Sequence, residues 1–168
     1  GLLYISLSWG LMMDIRNMEL YYNEVKESWW DYGWIVPCVI IGSIWINDTM
    51  DYIVGSLIGK TPLSKISPKK TWECTIGGVV LSVGVFFLLT IGQKEYAHGF
   101  IFRSDIIIIA AIAAITGTIG DLLESKLKRM AGVKDSGSIM PGHGGFLDRF
   151  DSLIMATPFV WLYVKLLL

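Results

Sequence analysis

Twenty consecutive residues, Cys74 to Gln93, contain no Asp, Glu, Lys or Arg. As a helix this run reaches about 30 Å, which is the thickness of a bilayer's hydrocarbon core. Four further charge-free runs follow the same logic: Leu2 to Met13, Tyr32 to Asn47, Ile106 to Gly120 and Ser152 to Val164. Each is shorter than the roughly 20 residues a lone spanning helix needs, so these must recruit flanking polar residues, tilt or lean on neighbouring helices. Tyr32 to Asn47 is expected to continue through Asp48, Asp51 and Tyr52 to Gly59. Ile106 to Gly120 runs without a breaker into Asp121 to Met130. The expected architecture is all-α: a polytopic transmembrane helix bundle of about five helices with an amphipathic cytoplasmic extension and no strands.

Composition agrees, with 53% hydrophobic and 17% charged residues and a mean hydropathy of +0.54. A net charge of −1 leaves no basic footprint for nucleic acid. Two cysteines, Cys38 and Cys74, can build neither a disulfide framework nor a four-ligand zinc site, and they read as reduced packing residues. The chain starts at Gly1 with an apolar run and no basic residues before it, unlike a signal peptide, so an internal fragment of a longer protein is expected.

Loop charges orient the helices. Lys60 to Glu73 carries four lysines against one acid, and Lys126 to Lys134 adds four basic residues, so both are expected on the cytoplasmic side. Two crossings separate them, as that assignment requires. Asp14 to Asp31 carries five acids against Arg16 and Lys26 and falls on the outer side, beside the interfacial aromatics Trp29, Trp30, Tyr32 and Trp34.

Several polar residues sit where apolar helices end. Asn47, Asp48 and Asp51 interrupt one helix, and spacings of three and four put Asp51 on the same face as both others. Carboxylates at membrane depth are costly and commonly functional, although a hydrated cytoplasmic helix end is the plain alternative. Asp121 follows 15 uncharged residues, about 22 Å of helix, which sets it near headgroup depth. Glu124 lies three residues on, with Lys128 four beyond it as an ordinary surface pair. Gly55 to Thr61 is one residue short of a Walker A loop and follows an apolar helix, so it is no P-loop. Gly55 and Gly59 suit a small-residue packing face. His98 reads as an exposed loop residue. His143 is flanked by Gly142, Gly144 and Gly145, a run that permits backbone N–H groups to approach an anion but is also found in plain turns.

From Ser125 the sequence reads Ser-Lys-Leu-Lys128-Arg129, then Lys134-Asp135, then Pro141-Gly-His143-Gly-Gly-Phe-Leu-Asp148-Arg149-Phe-Asp151. This pattern closely resembles the signature of phosphatidate cytidylyltransferases, the CDP-diacylglycerol synthases. Asn47-Asp48-Thr49 with Tyr52, Gly55, Gly59-Lys60 and Ile66-Ser-Pro-Lys69-Lys70-Thr71-Trp72-Glu73, followed by Gly77-Gly78, resembles a second block of that family. Two departures stand out: Met50-Asp51 replaces expected small residues, and Cys74 replaces an expected glycine. They leave Asp51's role and the local helix start open. Members of the family carry further N-terminal membrane helices, so the chain is expected to be one truncated membrane catalytic domain. Within it, residues 1–46 would hold N-terminal helices and the outer loop, 47–151 the substrate motifs and 152–168 the last helix.

The resemblance implies transfer of CMP from CTP to phosphatidate in phospholipid biosynthesis. A phosphate monoester is already anionic near neutral pH, so no strong general base is required. Two polyanions must be brought together and charge on the leaving pyrophosphate stabilised, which asks for a divalent cation and for Lys or Arg clamps. Asp121 and Asp148 are the implied ligands of Mg²⁺, with Asp135 and Asp151 as second choices, able instead to pair with Lys134 and Arg149, and with room for a second cation. Lys128, Arg149 and His143 join them as catalytic residues. Asn47, Asp48, Lys60, Ser67, Lys69, Lys70, Thr71, Ser125, Arg129, Lys134, Gly144 and Gly145 are the implied substrate-binding set. Ser67 and Thr71 could equally cap the next helix. The expected partners are CTP, phosphatidate and the lipid bilayer, with no nucleic acid and with a homodimer left open. Two rivals stand beside this reading: a CTP-dependent transferase acting on an isoprenoid lipid, and a cation transporter with midplane carboxylates.

Overall fold

The computed structural model describes residues 2–17, 20–23, 28–31, 33–63, 70–91, 103–133, 136–137, 145 and 147–167. Five helices carry the fold: α1 (Leu2–Arg16), α2 (Ile35–Ile58), α3 (Trp72–Ile91), α4 (Arg103–Met130) and α5 (Leu147–Leu167). As expected, α2 runs through Asn47, Asp48 and Asp51, and α4 runs through Asp121. Three helices, α3, α4 and α5 from Phe150, are long and apolar enough to cross a membrane, and the chain is an integral membrane protein. Asn47, Asp48 and Asp51 lower the hydropathy of α2, and α1 has only 15 residues.

Between α1 and α2 the structure adds strands that the sequence reading did not include. Strand β1 (Leu20–Asn23) pairs antiparallel with β2 (Ser28–Asp31), in the register Leu20 to Asp31 and Tyr22 to Trp29. Tyr21, Tyr22, Trp29 and Trp30 explain it, because aromatic residues favour pleated backbone as well as membrane interfaces.

The core forms where α4 supplies small residues. Ala110, Ala113, Ala114, Gly117 and Gly120 recur at helical spacing and are buried, so neighbouring backbones approach closely on that face. Ile15, Val36, Val39, Ile40, Ile109, Ala156 and Val160 fill the centre from α1, α2, α4 and α5. The outer faces stay apolar, with Trp45 75%, Leu88 68% and Leu167 73% exposed, as lipid-facing residues are.

Backbone accounting explains one internal contact. Pro158 lies inside α5 and has no N–H to offer the carbonyl of Ile154. Ser8 of α1 donates to that carbonyl at 2.7 Å, replacing the lost bond where no water is available.

One end of the bundle gathers the C-terminus of α2, the start of α3, the C-terminus of α4 and the start of α5. The α2–α3 connection is tied by Leu63 N to Lys70 O at 2.7 Å and by Trp72 N to Thr61 O at 3.0 Å. Thr71 Oγ accepts from Cys74 N at 3.2 Å, the capping role left open for it. Gly55 faces Cys74 across this junction, where an added Cβ would sit 3.2 Å from the Cys74 Cβ, so Gly55 does serve helix packing. Cys74 is buried and Cys38 exposed, and both are free thiols.

Candidate active site

Two lysines organise this end of the bundle. Lys70, just before α3, pairs with Asp121 on α4. Burial works against the Lys70 ammonium, but Asp121 first, then Asp51 and Asp48, outweigh it and raise its pKa above the ordinary value. Lys128, nearly two turns beyond Asp121 on α4, pairs with Asp148 of α5 at 2.7 Å and with Glu124 at 3.5 Å.

Asp148 is saturated with protein donors. Its Oδ1 takes Lys128, while Oδ2 accepts from Ser136 N at 3.0 Å, Ser136 Oγ at 2.9 Å and Gly145 N at 2.7 Å. Burial alone would raise this carboxyl; Lys128 and the backbone N–H groups of Gly145 and Ser136 overcome that and hold it well below the usual carboxylate range.

Close approach of α4 and α5 depends on Gly120. A Cβ there would lie 2.7 Å from the Asp151 carbonyl oxygen and 2.7 Å from Met155 Cβ. The tight crossing sets Asp121 and Glu124 on α4 beside Asp151 on α5. Glu124 is 5% and Asp151 8% exposed. Neither Glu124 oxygen has a hydrogen bond; Lys128 pairs with it at 3.5 Å, while Asp151 opposite accepts from Ser152 N at 2.6 Å. On α2, too, neither oxygen of the buried Asp51 has a hydrogen-bond partner. Asp48, Asp51, Asp121, Glu124, Asp148 and Asp151 are grouped about Lys70 and Lys128, with the exposed Lys60, Lys126 and Arg129 at the same end of the bundle.

Several expectations change on this geometry. Asp121 and Asp148 are each paired with a different lysine, with Asp151 and Glu124 linking the two pairs. Among the described residues no group of three or more His, Cys, Asp or Glu side chains is placed to hold a metal ion. Asn47 is not open to substrate, being 1% exposed and donating to Thr118 Oγ at 3.2 Å. The N–H of Gly145 serves an anion as expected, but that anion is Asp148 of the same chain. Glu124, read as one half of a surface pair, is buried at the centre of the site. Its spacing of three from Asp121 was the available signal. Asp48, Lys60 and Arg129 are exposed, and Ser125 is half-buried. Ser67, Lys69, Lys134, Asp135, His143 and Gly144 lie outside the described residues, as does the side chain of Arg149.

Residues 3–167 match the profile of the Cytidylyltransferase family. A phosphatidate cytidylyltransferase of Bacillus subtilis is 37% identical over 167 residues, covering 98% of this chain and 56% of the relative. One from Synechocystis is 40% identical over 147 residues, covering 84% of this chain and 49% of its own. Phosphatidate cytidylyltransferase 4, chloroplastic, of Arabidopsis thaliana is 37% identical over 139 residues, covering 83% of this chain and 34% of the relative. The chain thus spans from about a third to just over half the length of these relatives.

Proposed function

This chain belongs to the cytidylyltransferase family, and from that premise we propose that it forms the catalytic part of an enzyme transferring CMP from CTP to phosphatidate. The observation that carries the proposal is the pairing of Lys70 and Lys128 with Asp121 and Asp148, among further buried carboxylates, at one end of a membrane bundle. In the reaction an oxygen of the phosphatidate phosphate bonds to the α-phosphorus of CTP. The bond from that phosphorus to the bridging oxygen of the β-phosphate breaks, giving CDP-diacylglycerol and pyrophosphate. The monoester oxygen is already charged, so no residue need remove a proton from it.

Lys70 and Lys128 are the clamps of this proposal. Each is tethered to a carboxylate on α4 or α5, and substrate phosphates offer it an alternative anion. Mg²⁺ is commonly held by one or two carboxylates together with substrate phosphates, so here Asp121, one-third exposed, with Glu124 beside Asp151, would hold it only jointly with phosphate oxygens of CTP. When bound, the ion would offset charge developing on the pyrophosphate. Asp148 fits less well as a ligand, since its oxygens are already filled, and it positions Lys128 and the segment carrying Ser136 and Gly145. The basic segments 60–73 and 126–134 support a cytoplasmic site.

The test is CTP-dependent release of pyrophosphate by the full-length parent in detergent, with phosphatidate or an isoprenoid phosphate as acceptor. Release that requires phosphatidate and Mg²⁺ is expected. Release with the isoprenoid phosphate alone would overturn the acceptor, and release unaffected by removing Mg²⁺ would overturn the role of the ion.

A further inference from the structure

Asn47 and Asp51 are one turn apart on α2 and both face Gly78 of α3, where an added Cβ would run into an oxygen of each. The orientation of the Asn47 amide follows from counting hydrogens. Thr118 Oγ spends its hydrogen on Ala114 O at 3.0 Å, so toward Asn47 it can only accept, and the Asn47 nitrogen must be the group pointing at it. Asn47 Oδ1 is therefore turned away from Thr118, and it has no donor. With both Asp51 oxygens, that makes three buried acceptor oxygens without a donor, on side chains 1% and 8% exposed. A buried acceptor left unmatched destabilises the fold, because its hydration is lost and nothing replaces it.

A proton on Asp51 could join one of its oxygens to Asn47, but its other oxygen would stay unmatched. A metal ion satisfies all three. Charge points the same way. Asp48 and Asp51 both lie near Lys70, and two carboxylates with one ammonium leave negative charge for a cation to offset. Carboxylate and amide oxygens are hard donors suited to Mg²⁺, which keeps several waters and needs few protein ligands.

We propose that Asp51 and the Asn47 side-chain oxygen, in the notch opened by Gly78, form a binding position for a divalent cation, separate from the Asp121, Glu124 and Asp151 group.

The experiment counts Mn²⁺ bound by the full-length parent in detergent, without CTP or lipid, by electron paramagnetic resonance titration. Asp51→Asn should bind one ion fewer per chain, or bind that ion at least about tenfold more weakly. Gly78→Ala, which keeps every charge and fills the notch, should do the same. An unchanged count and affinity in folded Asp51→Asn overturns the proposal, as does a wild type that binds no Mn²⁺. A protonated-carboxyl infrared band that survives saturating Mn²⁺ and vanishes in Asp51→Asn also overturns it, assigning the notch to a proton. Failure of the parent to release pyrophosphate from CTP would count against the proposed function while leaving the Mn²⁺ count intact, so the two readings fail separately.

Discussion

The two ends of the bundle treat their carboxylates in opposite ways. At the end away from the site, Asp14 accepts from Trp161 Nε1 at 2.6 Å and pairs with Lys165 at 3.4 Å, while Asp105 accepts from the Tyr163 hydroxyl at 2.9 Å. Each of these acids has an α5 partner and helps hold that helix to α1 or α4. At the site end Asp51 and Glu124 are buried with no hydrogen-bond donor, and Lys70 and Lys128 are each shared among several acids. The far end is arranged as a fastening. Unmatched buried charge is a cost no fastening needs, so the near end is arranged for something that arrives.

Breaking that contrast should show first in rate. Asp121→Asn removes a charge that a cation would use and should lower pyrophosphate release by roughly a hundredfold or more, a few kcal/mol at the transition state. Asp105→Asn, the same change at the other end of α4, should leave the rate within about twofold. Equal losses in both would erase the distinction between the ends.

Gly120→Ala tests whether the near end depends on close helix approach. The added methyl meets backbone and side chain of α5 and should cost about 1–3 kcal/mol, measured as a fall in Tm. The rate should fall beyond what the remaining folded fraction explains, because Asp121 and Glu124 move off Asp151.

Asp148→Asn should be milder in rate than Asp121→Asn, with a loss of about 2 kcal/mol in stability from its charged hydrogen bonds. Its pH dependence has a definite sign. A carboxyl whose folded pKa lies below its unfolded value of about 3.9 stabilises the fold above that value. The Tm gap between wild type and Asp148→Asn should therefore stay constant from about pH 8 to pH 5 and shrink below about pH 4. A gap that widens in acid would contradict the donor arrangement around Asp148.

The smallest effect is expected for Trp161→Phe, which keeps the ring but removes the donor to Asp14. CTP turnover should not change, and Tm should move by only a few degrees. A rate loss comparable to that of Asp148→Asn would tie the far end to catalysis.

Much of the bundle was legible in the string of residues. A helix in lipid must satisfy its own backbone and present apolar side chains, so the charge-free runs located helices α1 to α5 and the basic segments grouped two loops at one end. The signature residues marked Lys128 and Asp148 as belonging to one site, and the apolar run before Asp121 set that carboxylate at the same membrane edge. The β1–β2 hairpin is not legible there, because Tyr and Trp serve a sheet and an interface equally well.

Partnership was a different matter. Six acids look alike in a sequence, and nothing local says that Lys70 takes Asp121, that Asp148 is filled by Ser136 and Gly145, or that Glu124 and Asp51 are left without donors. Those outcomes depend on how near the helices come, which Gly120 and Gly78 decide by the side chains they lack. A hydrogen bond reaches only about 3 Å, so its existence rests on tertiary distances. The need to bury apolar helices in lipid, by contrast, is written residue by residue along the chain.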